Sequence, residues 1–167
     1  MKIINVLLIG HGSIGSKFSD EIKKNKQFNL ENIITTRNKN LIKLNNIDLI
    51  IICSPINTHY KYLLKAMSLN KDIIIEKPIV KNLTELEKLV KISKSYRGKI
   101  LIHHNDVINL ETKKSFIKKK NSKVVKMIYG KKDKKQKETP PHLDWLPHPL
   151  SVIIYFFGKP YKFKILE

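Results

Sequence analysis

Apolar positions in this chain fall into short runs separated by amphipathic stretches, and the two kinds alternate. Lys2 to Ile9 is a nearly continuous apolar run, the pattern of a strand buried on both faces. A helix-like segment follows and extends to Lys26. Leu30 to Thr36 and Ile47 to Cys53 read as the second and third strands. Asn57 to Asn70 has helical spacing, with Asn57 or Thr58 as its cap. Asp72-Ile73-Ile74-Ile75 is a fourth strand and runs directly into Glu76-Lys77-Pro78. Asn82 to Tyr96 predicts a further helix, capped by Asn82 or Thr84 and closed by Gly98. Lys99 to His104 is a fifth strand, followed by Asn105. This alternation predicts an α/β protein, a Rossmann-like doubly wound parallel sheet, over residues 1–120.

Past Asn105 the pattern is less regular. Leu110 to Lys120 predicts a helix and Val124 to Tyr129 a strand. Lys131 to Glu138 is a charge run, read as a solvated loop. A proline-rich stretch, Pro140 to Pro149, leads into the apolar segment Leu150 to Phe157, a buried helix stopped by Gly158. Tyr161 to Leu166 alternates apolar residues with Lys162 and Lys164, a strand with one apolar face. Residues 121–167 are therefore expected to be a short remnant of a second, α+β domain for substrate binding and oligomerisation.

Composition changes this picture little. At 167 residues the chain holds one well-packed domain with a small appendage. No apolar run approaches the roughly 18 residues that span a bilayer, so no membrane partner is expected. The apolar start lacks a small-residue cleavage site and ends in a glycine turn, which argues against a signal peptide. A lone Cys53 excludes an internal disulfide framework and points to a cytoplasmic location. The formal charge of +19 is large, but only Arg37 and Arg97 among 33 basic residues are arginine. Lysine is spread over every segment. That is compositional bias, and no specific nucleic-acid signature accompanies it; only non-specific attraction to polyanions at low salt follows.

Candidate chemistry sits at the strand ends. Gly10-His11-Gly12-Ser13-Ile14-Gly15 follows a strand and opens a helix, the setting that a dinucleotide-binding G-x-G-x-x-G requires. Gly10 allows the tight turn, Gly12 lets a pyrophosphate approach the backbone, and Gly15 lets the helix pack closely. The phosphate would then sit on free helix N–H groups. An acidic residue about 20 positions past the glycines would bind the ribose 2′-hydroxyl of NAD. Thr35-Thr36-Arg37-Asn38 stands there instead, and Arg37 suits the 2′-phosphate of NADP. NADP is therefore favoured slightly over NAD. Lys77, at the carboxyl end of a strand, faces the crevice where ligands bind in such sheets, and Pro78 fixes the backbone after it.

Taken together these pieces resemble the Gfo/Idh/MocA family, the glucose–fructose oxidoreductase and inositol dehydrogenase type. The resemblance rests on Gly10 to Gly15, Cys53-Ser54-Pro55, His59 and Lys71 to Pro78 at matching spacings, and it covers the first 110 residues. It implies an NAD(P)-dependent oxidoreductase that transfers a hydride between nicotinamide and a sugar, sugar-nucleotide or cyclitol. It further implies cofactor contacts from Ser13, Ile14, Thr36, Ser54, Pro55, Asn57, His59, Glu76, Lys77 and Asn105. Lys77 would polarise the substrate oxygen. Asp144 and His148, spaced as the family's Asp-x-x-x-His pair, would supply the acid/base group and its orienting carboxylate. No metal is implied. The family's arginine shortly after Asn105 is replaced by Asp106-Val107, and the family's large second sheet is expected to be truncated here. The alternative is a non-catalytic dinucleotide-binding protein, or a subunit completed by a partner chain. Either way, association through the C-terminal segment is expected, as a homo-oligomer or with that partner.

Overall fold

Isoleucine, leucine and valine dominate the segments that pair, and these residues favour a pleated surface buried on both sides. The computed structural model describes residues 2–35, 46–111, 144–162 and 164. Within residues 1–103, one of two compact units, the strands β1 (Ile4–Ile9), β2 (Phe28–Ile34), β3 (Leu49–Ile52), β4 (Asp72–Glu76) and β5 (Ile100–His103) form one sheet. The strand order is β2-β1-β3-β4-β5 and every pairing is parallel. The fold is α/β and Rossmann-like, with α1 (Ser13–Lys24), α2 (Ile56–Ser68) and α3 (Leu83–Ser93) covering the sheet.

Successive strand side chains point to opposite faces, so one run of apolar residues feeds two cores. Leu7, Ile9, Ile50, Ile52, Ile73 and Ile75 join Leu63 and Met67 of α2 and Leu89 of α3 on one face. Val6, Leu8 and Ile51 meet Ile22 of α1 on the other. That two-sided burial is why the inner strands β1, β3 and β4 read as apolar runs.

Helix ends follow local chemistry. The cap of α2 is Pro55, neither Asn57 nor Thr58 as expected. Proline has no N–H to leave unsatisfied, and the Thr58 hydroxyl instead lies 2.7 Å from both Ser54 Oγ and the Pro55 carbonyl. At α3 the Asn82 side chain accepts the Glu85 N–H at 2.9 Å, and the Glu85 carboxylate accepts the Lys81 N–H at 3.1 Å. This reciprocal pair is close to a capping box.

The second unit comprises residues 104–167. Its described helices, α4 (Asn105–Glu111) and α5 (Pro147–Phe157), pack on one another. Helix α4 starts earlier than the predicted Leu110, because Asn105 and Asp106 favour a helix start and the His104 carbonyl accepts the N–H of Val107 at 3.0 Å. Helix α5 opens on proline in its first turn and stops at Gly158, whose φ of +83° is left-handed and whose N–H bonds the Ile154 carbonyl. The predicted strand 124–129, the charge run 131–138 and most of the predicted helix 110–120 lie outside the described residues. Of the predicted strand 161–166, Tyr161, Lys162 and Lys164 are described and carry no strand. No helix among the described residues is long and apolar enough to cross a membrane.

Candidate functional site

The sheet order places β2 on one side of β1 and β3 on the other. The chain therefore leaves neighbouring strands in opposite directions at the carboxyl ends of β1 and β3, and a crevice opens there. The glycine loop follows β1 and Ser54-Pro55 follows β3, so both border this crevice. Gly10 has φ +95°, and a Cβ on it would stand 2.5 Å from the Cys53 carbonyl oxygen. The two loops thus touch backbone to backbone. A Cβ on Gly15 would come within 2.2 Å of the Gly10 carbonyl oxygen, so only glycine lets α1 seat against the turn. Gly12 is different: a Cβ there would meet nothing within 4 Å. It is the cap residue of α1 and offers no side-chain hydrogen bond. The first N–H groups of α1, at Ser13, Ile14 and Gly15, have no acceptor within the helix and lie at its positive end. Ser13 and Ile14 are exposed. An open backbone at Gly12 beside unpaired helix N–H groups fits a phosphate.

His59, from the first turns of α2, is only 2% exposed. Its Nδ1 lies 2.8 Å from the Pro78 carbonyl and its Nε2 lies 2.6 Å from the Ser54 carbonyl. The ring ties the loop after β3 to the loop after β4. It was expected among the cofactor contacts; both ring nitrogens are taken up by backbone, so it braces the crevice from below. Asn57 is exposed on the same helix, while Ser54 is half-buried and Pro55 exposed. Lys77 is half-buried, directly after β4, and the Lys77–Pro78 peptide is cis.

Glu76, the last residue of β4, was also expected to meet the cofactor. Its Oε1 is hydrogen-bonded to Nδ1 of His103, its register partner on β5. The His103 ring stands edge-on to Phe18 of α1, with centroids 5.1 Å apart. Cys53 lies beneath the crevice; burial, followed by the charge of Glu76, pushes its thiol up to about 12. An apolar cleft of about 550 Å³ beside α1 includes Phe28 and Leu49, the first residues of β2 and β3, and so lies at the opposite, amino end of the strands.

In the second unit, His148 in the first turn of α5 has Nδ1 2.8 Å from Oδ2 of Asp106 on α4. The Trp145 ring lies 6.4 Å from the imidazole, centroid to centroid. Asp106 thus supplies a carboxylate to His148 from a second helix, in addition to the Asp144 expected from the sequence. Asn105 is the exposed first residue of α4. Thr36 and Arg37 lie outside the described residues. His103 and Asp106 were missed in the sequence. The register of β4 against β5 could have signalled His103; nothing local signalled Asp106. No cluster able to hold a metal ion occurs among the described residues.

A parallel sheet of this order, with a glycine turn at its switch point, defines a Rossmann-type nucleotide-binding domain. Residues 36–104 match the Gfo/Idh/MocA model, described as an oxidoreductase family with an NAD-binding Rossmann fold. Over this stretch the chain is similar to the Gfo/Idh/MocA oxidoreductases. The matched stretch holds Ser54-Pro55, His59 and Glu76-Lys77-Pro78; the glycine loop precedes it.

Solved structures show the same fold. The oxidoreductase-type protein yvaA of Bacillus subtilis superposes with a TM-score of 0.72 at 19% identity, over 95% of this chain and 53% of its own. A Thermotoga maritima protein described as a dehydrogenase gives a TM-score of 0.61 at 22% identity, over 66% of this chain and 39% of its own. GenD2 of gentamicin A biosynthesis, solved in complex with NAD, gives 0.58 at 14% identity, over 64% of this chain and 36% of its own. The chain spans about half the length of the Bacillus protein. No curated protein matches it by sequence.

Proposed function

We propose that the protein is an NAD(P)-dependent oxidoreductase acting on a sugar, sugar-nucleotide or cyclitol. The observation that carries this reading is the open backbone at Gly12, set between two glycines that cannot accept a side chain. When bound, a nicotinamide cofactor supplies the hydride chemistry. The chain's own residues would do the rest. The first turn of α1 holds the pyrophosphate. Lys77 polarises the substrate oxygen. His148 takes or gives the proton, with Asp144 as its expected orienting carboxylate and Asp106 on its Nδ1.

Cofactor choice is assigned to NADP(H) over NAD(H), on the hydroxyl and guanidinium pattern Thr35-Thr36-Arg37 at the end of β2. Fluorescence titration with NADPH and NADH tests both points. NADPH is expected to bind more tightly, and Arg37→Ala to weaken NADPH by about 1–3 kcal/mol, the scale of a charge-assisted hydrogen bond, while leaving NADH unchanged. Tighter binding of NADH reverses the cofactor assignment, and failure of both nucleotides to bind removes the reading. A panel of sugars, sugar nucleotides and cyclitols then identifies the substrate. His148→Ala is expected to abolish turnover and to leave NADPH affinity in place.

A further inference from the structure

We infer that His103 is a ligand-binding residue of the crevice, with Glu76 as its positioning residue: the Nε2 of His103 accepts a hydrogen bond from a hydroxyl of the bound ligand. The inference rests on the nucleotide-binding reading above. Glu76 and His103 are register partners at the carboxyl ends of β4 and β5, and their side chains are 14% and 21% exposed. A carboxylate can only accept, so Nδ1 of His103 carries the proton in this contact. In the Nδ1–H tautomer Nε2 carries no proton and is an acceptor, and that nitrogen has no hydrogen-bond partner among the described residues. Phe18 holds the ring edge-on, which removes the freedom to turn away.

Position supplies the ligand. In a sheet of this order the adenosine ribose is read at the end of β2 and the pyrophosphate at the β1 turn. The distal half of a dinucleotide therefore extends the other way, past β3 towards β4 and β5. Groups at that end carry hydroxyls from two sources, the distal ribose of the dinucleotide or a polyhydroxy substrate. Both offer the same O–H donor to Nε2.

Two measurements on the full chain test this. Long-range proton–nitrogen NMR of labelled histidine reads the tautomer of His103. The Nδ1–H form is expected in the wild type, and Glu76→Ala is expected to shift the ring to the Nε2–H form. An Nε2–H wild type overturns the inference. Diethylpyrocarbonate labelling, read at His103 by mass spectrometry, needs no variant. NADH at about ten times its Kd is expected to slow labelling about tenfold, the limit set by occupancy. Equal protection by ADP-ribose, but none by AMP, assigns the contact to the distal ribose. Protection by NADH that appears only on addition of glucose or myo-inositol assigns it to a substrate hydroxyl. If fluorescence shows NADH bound and His103 labels at an unchanged rate under every addition, the inference fails while nucleotide binding stands. If no nucleotide binds at all, the nucleotide-binding reading fails, and this inference with it.

Discussion

At the scale of single residues, the three loop glycines separate binding from folding. Gly15 has no room: an added methyl would meet the Gly10 carbonyl at 2.2 Å, and backbone cannot swing aside. Gly15→Ala is expected to cost about 1–3 kcal/mol of stability, the usual penalty of overpacking, measured by urea unfolding. Gly12 has an extended backbone that alanine can adopt and open space around it. Gly12→Ala should change stability by less than about 1 kcal/mol and yet weaken NADPH or NADH binding about tenfold, close to 1.4 kcal/mol. Equal binding by the two forms would remove the phosphate from Gly12. Cys53 offers a pH test. Its thiol is pushed up to about 12 in the fold, against 9.0 ordinarily, so below pH 9 the thiol is protonated in both states. Between about pH 9 and 12 only the unfolded chain ionises, and stability falls as pH rises. Native Cys53 should therefore react slowly with a disulfide reagent at pH 8 and rapidly once urea unfolds the chain, and Cys53→Ala should flatten part of the alkaline loss.

At the scale of elements, the start of α3 is the clearest test of local chemistry. Asn82 satisfies one otherwise orphaned N–H and Glu85 ties back to Lys81. Asn82→Ala should lower stability by about 1 kcal/mol, the typical worth of such a cap, while Asn82→Asp should retain most of it. Thr84 lies within the first turn and makes no cap, so Thr84→Ala serves as the control. The β4–β5 pair shows how an element edge makes chemistry. Parallel register sets Ile74 opposite Leu101 and Glu76 opposite His103, all on the α1 side of the sheet, so a carboxylate meets an imidazole only because the two strands end together.

At the scale of the molecule, apolar surface remains. Ile154, Tyr155 and Phe157 of α5 are 49%, 44% and 37% exposed, neighbours on one short helix. Clustered exposed apolar residues of this kind mark an interaction surface. The protein is expected to self-associate at high micromolar concentration, and Ile154→Lys to shift the population towards monomer in sedimentation velocity. A wild type that sediments as a single monomer at those concentrations rules this surface out as a self-association site. The large positive charge predicts weak, salt-sensitive retention on heparin, lost when the ionic strength screens it.

Much of this protein was determined by local sequence alone. Short apolar segments and the amphipathic spacing between them decided the five strands and the first three helices, because burial and helical period act over neighbouring residues. The glycine turn was legible for the same reason: it needs no distant partner to be recognised. What tertiary structure decided were the meetings of residues far apart in sequence. His59 was expected only as a cofactor contact implied by the resemblance, and the packing of α2 under two loops buried it between the carbonyls of Ser54 and Pro78. His148 meets Asp106, 42 residues earlier in the chain, because the packing of α4 on α5 sets which side chains meet. Glu76 acquired His103 in the same way, 27 residues on, through strand order and register. Local pattern selects elements; which side chains become partners depends on how those elements close over one another, and no single stretch of sequence contains that information.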